Sequence, residues 1–260
     1  MRLTIVGCSG SFPGPDSAAS CYLIEVEDRD RTWRIVVDLG SGALGPLQQL
    51  VQLHQIDAVL ISHLHPDHFM DLCGLYVARR YHPAGVCPAP LPVYGPAHTA
   101  DRILQAYGPD AASELPKVYD VRPLNDGGTV FVGPVAITTR LVDHPVVAYG
   151  MRIEYEGQVI AYSGDTDSCA ALVELARDAD LLLAEASYQE GREETRGVHL
   201  TGRRAGEAAR DAGARRLVLT HLPVWTDSDV VVKEARQIYP GPVEAARAGA
   251  RYVLEDVRVR

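Results

Sequence analysis

Apolar residues recur in short β-branched runs at 2–6, 21–26, 34–39 and 57–62, a pattern that predicts four strands in the first part of the chain. A helical spacing over 43–54 falls between the third and the fourth. From 117 to 164 the pattern is a meander, with strand-like runs at 129–132, 135–142, 148–155 and 158–163 divided by glycine-containing turns. Helices at 169–177, 201–212 and 227–239 then alternate with strands at 180–186 and 215–220, before a final strand pair around 243–257. Two sheets with outer helices follow from this layout. No repeat, low-complexity tract or charge block marks a linker, so 1–260 reads as a single domain.

The 260 residues suffice for a sizeable α/β core, and 47% hydrophobic with 23% charged residues is ordinary globular composition. No apolar run approaches the roughly 20 residues that span a bilayer, so no membrane role is expected. The first seven residues read as a strand rather than a secretory leader. Five cysteines (Cys8, Cys21, Cys73, Cys87 and Cys169) are odd in number and form no C-x-x-C pair, which points to reduced thiols in a cytoplasmic protein. A net charge of −9 disfavours tracking along nucleic acid and suits a small substrate better.

The strand at 57–62 runs directly into His63-Leu-His65-Pro-Asp67-His68, with Asp71 just beyond. His63 and His65 project together from an extended segment, while the turn at Pro66 swings Asp67 and His68 toward a second point. One ion could not easily use all four. His144, Asp165 and His221 each follow a strand-like run, where a loop-borne site on a sheet would sit. The isolated His54, His82 and His98 read as surface or packing residues.

Two other patterns carry less. Gly40-Ser-Gly42-Ala-Leu-Gly45 matches G-x-G-x-x-G, but the next strand enters the histidine loop instead of ending in a ribose-binding acid. Gly7-Cys8-Ser9-Gly10-Ser11 is one residue out of phase with G-x-S-x-G, so no nucleophile elbow is present. Its glycines fit a tight turn at the rim of a site, where N–H groups could meet phosphate.

In order and content, Asp38 in Val-Val-Asp-Leu-Gly, the His63–His68 loop, His144-Pro145, Tyr162-Ser-Gly-Asp165-Thr and Thr220-His221-Leu resemble the metallo-β-lactamase superfamily over nearly the whole chain. The resemblance implies a four-layer αββα sandwich with metals along one edge of the sheets. It implies that His63, His65 and His144 hold one divalent ion, that Asp67, His68 and His221 hold a second, and that Asp165 bridges both. Asp38 would orient a ligand histidine. Imidazole with carboxylate suits zinc or manganese, and iron is compatible. Asp165 and His68 stand where one common lactamase type has cysteine and arginine, and His65 stands where diiron oxygen reductases of the superfamily have glutamate. Both departures argue against those chemistries.

Ala184-Glu185-Ala-Ser-Tyr188 and His199-Leu-Thr201 are similar to the glutamate and histidine motifs of the ribonuclease Z-like branch, where the pair assists protonation of the leaving oxygen. The residues alone also allow Glu185 as a buried strand-end partner and His199 as a neighbour of a helix capped by Thr201. Asp165 follows His144 by only twenty-one positions, which leaves no room for the transfer-RNA arm of ribonuclease Z. The segments 7–20, 79–83 and 162–166 look like an actinobacterial group of cyclic-nucleotide phosphodiesterases, which implies 3′,5′-cyclic AMP as substrate. Asp67 would then orient the attacking water, and Glu185 with His199 would complete the catalytic set. A ribonuclease Z-like enzyme acting on RNA 3′ ends is the alternative, and a metal-holding sensor without turnover the second. Relatives often dimerise, so a homodimer is compatible, although the sequence leaves assembly open.

Overall fold

The computed structural model describes residues 1–83, 89–193 and 195–254; Cys87 and the last residues of the expected final strand lie outside them. In chain order the first strands are β1 (Arg2–Ser9), β2 (Ala18–Ala19), β3 (Cys21–Asp28), β4 (Arg31–Leu39), β5 (Ala58–Leu60), β6 (Leu91–Gly95) and β7 (Tyr119–Pro123). They are followed by β8 (Thr129–Val132), β9 (Val135–Leu141), β10 (Tyr149–Tyr155), β11 (Gln158–Tyr162), β12 (Leu181–Glu185), β13 (Leu217–Thr220), β14 (Val243–Ala245) and β15 (Arg251–Val253). The helices are α1 (Leu44–Gln48), α2 (Pro66–Phe69), α3 (Leu72–Arg80), α4 (Thr99–Tyr107), α5 (Leu115–Val118), α6 (Ala170–Leu175), α7 (Gly202–Ala212) and α8 (Ser228–Arg236).

One sheet has the order β15-β1-β3-β4-β5-β6-β7, with β2 beside β1, and the other β14-β13-β12-β11-β10-β9-β8. Strand alternation explains the layers. Leu3, Ile5, Tyr22, Ile24, Ile35 and Val37 face the second sheet's Ile137, Met151, Ile153 and Ile160 in a central core. The intervening Leu23 and Val36 point the other way, onto Leu47, Leu72, Leu75 and Ile103 of the first helical layer. Ala161, Leu182 and Leu219 pack likewise on Leu172, Ala205, Ala209 and Val231 of the second. Four layers result, in the expected αββα order. Because both faces of the central strands are covered, they read as continuous apolar runs.

The expected helix at 43–54 is shorter: α1 ends at Gln48, and Gln52 is extended before a 3-10 turn at Leu53–Gln55. The expected final strand pair is split between sheets, since β14 runs parallel to β13 while β15 pairs antiparallel with β1. The elements from α2 to β7, including β6 with Pro92 at its second position, have no counterpart in the sequence reading. Proline inside a strand argues against a strand, and here Pro92 pairs in register with Asp120. No helix among the described residues is long and apolar enough to cross a membrane. His54, His82 and His98 are exposed.

The register β4–β5–β6–β7 is parallel, as is β11–β12–β13–β14. Loops leaving the carboxyl ends of such strands gather at one edge, where α/β sheets bind ligands. The ends of β5, β11, β12 and β13 deliver residues 63–68, Asp165, Glu185 and His221 there.

Candidate metal centre

Beyond β5, Ile61 N–H donates to Tyr94 O at 2.7 Å and Ser62 N–H to Asp38 Oδ1 at 2.7 Å, which fixes the chain as it enters the histidine loop. Pro66 then opens α2, its fixed φ suited to the first helical position, and turns Asp67 and His68 inward, both buried. A close backbone approach sets the loop's height. A Cβ on Gly40 would lie 1.8 Å from Asp67 O, a contact no side chain tolerates. Gly40→Ala is therefore expected to cost about 1–3 kcal/mol or more, since backbone must move to relieve the overlap. A lowered Tm together with weakened metal binding checks this.

Ligand-type atoms of His63, His65, His144 and Asp165 lie within 4.8 Å of one another, as do those of Asp67, His68, Asp165 and His221. The two groups share Asp165. Asp71 stays outside both, accepting the Leu44 N–H at 2.8 Å. His63 Nε2 is 2.9 Å from His65 Nδ1, His144 Nε2 is 3.3 Å from the same atom, and His68 Nε2 is 3.2 Å from His221 Nε2.

The outer hydrogen bonds decide what these nitrogens present to the centre. His68 Nδ1–H donates to Asp38 Oδ2 at 2.8 Å, and His144 Nδ1–H to Val198 O at 2.9 Å. Ser187 Oγ gives its proton to His221 O, so it accepts from His221 Nδ1–H at 2.8 Å. Ser62 Oγ gives its proton to Asp38 Oδ2 and accepts from His63 Nδ1–H at 3.1 Å. With Nδ1 so engaged, His63, His68, His144 and His221 each turn Nε2 inward. Buried Asp165 Oδ1 adds an acceptor with no hydrogen-bond partner. Converging lone pairs and carboxylates repel unless cations lie among them, so the donor set fits two divalent ions.

The charge states agree. Burial opposes ionisation of Asp165, but His221, His68 and His63 around it hold the carboxyl well below the usual range. Burial likewise opposes Asp67, and hydrogen bonds from His221 and His68 outweigh it downward. Burial, then the charge of His68, push His63 well down; burial and His144 lower His65. His68 goes the other way: burial disfavours its charge, yet Asp165 and Asp38 raise it well above 6.5. Without a cation this ring takes a second proton, which a metal would displace.

Asp38 is the hub beneath the centre. Fully buried and held at φ 55°, it accepts from Ser62, His68 and, at 2.7 Å, Tyr162 Oη. Asp38→Asn keeps the shape but turns one acceptor into a donor, facing either the Ser62 N–H or the His68 and Tyr162 protons that share Oδ2. We expect metal affinity to fall about 10–100-fold, with near-native fold, as measured by chelator competition.

Glu185 Oε1 accepts from His199 Nδ1–H at 2.8 Å and from Thr166 N–H at 2.9 Å, while Oε2 accepts from Ser187 N–H at 3.1 Å. Glu185, His199 and His221 form a third converging group against the second cluster. Burial works against charge on His199, but the Glu185 carboxylate outweighs it and pushes the ring up to about 9. Thr201 caps α7, accepting from Arg204 N–H at 3.2 Å, so the helix start sets His199's place. Sequence reasoning missed Ser62 and Ser187, which fix two tautomers, and the buried pair Asp167–Arg204. Arg204 Nη1 reaches both Asp167 Oδ1 at 3.0 Å and His199 O at 3.2 Å. What would have marked them lies far away in sequence: Ser62 is tied to Asp38, Ser187 to His221 and Arg204 to Asp167.

A family model described as a β-lactamase superfamily domain matches residues 33–222. An uncharacterized Mycobacterium leprae protein is 43% identical over 258 residues, 98% of this chain and 89% of its own. The probable metallo-hydrolase YhfI of Bacillus subtilis is 32% identical over 250 residues, 96% of this chain and 98% of its own. The crystal structure of YhfI, a metallo-β-lactamase fold protein, matches at a TM-score of 0.86 and 30% identity, covering 96% of this chain and 98% of that one. Ribonuclease Z of Myxococcus xanthus is 28% identical over 305 residues, 96% of each chain.

Proposed function

The chain belongs to the β-lactamase superfamily, as a metallo-hydrolase with ribonuclease Z-like relatives, and from that premise we propose that it is a binuclear phosphodiesterase acting on 3′,5′-cyclic nucleotides such as cyclic AMP. The observation that carries the reading is the Glu185–His199 pair set against the second cluster. A site that only held metal would have no use for a proton donor there.

His63, His65 and His144 would hold one ion, Asp67, His68 and His221 the other, with Asp165 shared. Bound there, a zinc or manganese pair supplies acidified water and positive charge for phosphate oxygens. Asp67 orients the attacking water. His199 gives its Nε2 proton to the departing ribose oxygen while Nδ1–H stays on Glu185, which steadies the cationic ring before transfer. The short 144–165 span, filled by β10 and β11, and the net charge of −9 favour a small substrate over transfer RNA. The free thiols Cys8, Cys21, Cys73 and Cys169 fit a cytoplasmic setting.

The Myxococcus relative favours one competing reading, cleavage at RNA 3′ ends. Protein reconstituted with manganese or zinc is tested on cyclic AMP, bis-p-nitrophenyl phosphate and a precursor transfer RNA. Cyclic AMP turnover is expected. RNA cleavage alone would replace the reading by ribonuclease Z-like activity, and intact metals without any turnover would replace it by a sensor.

A further inference from the structure

Two aromatic rings stand partly in solvent on the loops that flank His221. Phe12 is 41% and Trp225 57% exposed, with ring centroids 5.3 Å apart and planes tilted by 49°. They come from loops far apart in sequence that meet on His221. Ser11 N–H points at His221 Nε2 from 3.4 Å, Leu222 N–H donates to Cys8 O at 3.2 Å, and a Cβ on Gly10 would lie 2.4 Å from His221 O. Phe12 is thus one residue from an atom aimed into the centre, and Trp225 is four residues from His221.

The Trp225 loop is held in place. Arg192 Nη1 donates to Trp225 O and Nη2 to Thr226 Oγ1, each at 3.1 Å, and Thr226 Oγ1–H donates to Ser187 O at 2.9 Å. Ser187 is the residue that fixes the His221 tautomer. Rim and centre therefore share one support. Ser11 takes a left-handed φ of 65°, rare for a residue with a side chain, and with it the loop brings Phe12 to Trp225.

We propose that Phe12 and Trp225 form a stacking surface for the base of a nucleotide whose phosphate lies at the histidine–aspartate centre. This rests on the phosphodiesterase reading and adds the part of the substrate that the metal ligands do not see. Every base has a π-face that an exposed ring accepts, whereas a bare sugar phosphate does not.

The test compares cyclic AMP with base-free ribose 3′,5′-cyclic phosphate in wild type, W225A, W225F and F12A, and follows tryptophan fluorescence as AMP is added. In W225A the preference for cyclic AMP should fall roughly 5- to 150-fold, chiefly through KM, and W225F should restore most of it. AMP should quench wild-type emission but not that of W225F, in which Trp33 is the remaining tryptophan. An unchanged preference in W225A and F12A, or equal quenching in W225F, overturns the proposal while leaving the phosphodiesterase reading intact. If wild type turns over neither compound the functional reading falls, and the AMP titration alone decides the stacking surface. The same comparison on a precursor transfer RNA separates a mononucleotide from an RNA end as the source of the base.

Discussion

Asp165→Ala should leave reconstitution with fewer than two ions per chain and with turnover of a phosphodiester down by roughly 10³-fold or more, because the two clusters share this carboxylate and a two-metal site built on them would lose its common ligand. The geometry gives the reason. Oδ1 lies 3.3 Å from His68 Nε2, and Oδ2 lies 3.4 Å from His221 Nε2 and 3.7 Å from His63 Nε2, so one carboxylate faces both clusters. Asp165 also supplies negative charge among imidazoles that repel one another once protonated. Its loss should weaken metal binding most at acid pH, where protons compete for the rings. Asp67→Ala should act in the same direction but on the second cluster, whose His221 Nε2 sits 3.0 Å from Asp67 Oδ2. Metal content by mass spectrometry, set beside turnover, separates the two.

His199→Ala should do the opposite with metal: both ions stay, and turnover falls about 10²–10⁴-fold, the usual worth of a positioned general acid. His199 is the cleaner probe of the pair. Glu185 also accepts the Thr166 and Ser187 N–H groups, so changing it disturbs the Asp165 loop and the residue that orients His221. The pH profile carries a second signature. A ring raised to about 9 is the proton-bearing form at neutrality, and the donor is lost as pH rises through that value. Cations bound in the two clusters would repel the imidazolium, so the alkaline limb should lie at or below pH 9 in wild type and vanish in His199→Ala. Loss of both metals in that variant would make His199 a ligand and remove its role as acid.

The histidine loop was legible because its chemistry is local: His63, His65, Asp67 and His68 lie within six positions after one buried strand. His144, Asp165 and His221 were legible through position, each after an apolar run that forms β9, β11 or β13. The supporting layer was not. Ser62, Ser187 and Arg204 are ordinary residues until the fold brings them to Asp38, His221 and Asp167. The stretch from α2 to β7 escaped for a different reason, since short helices and a proline-bearing strand depend on packing against the first sheet more than on a period of their own. The split of β14 from β15 is likewise a tertiary choice, because three residues carry too little pattern to name the sheet edge they join.

Equilibrium binding of manganese or zinc to the metal-free protein, read as ions bound per chain alongside the same titration of Asp165→Ala, tests the two-ion centre most directly. Two ions per wild-type chain and fewer in the variant are expected. A wild-type chain that binds no divalent ion, or a variant that takes up two with unchanged affinity, would contradict it.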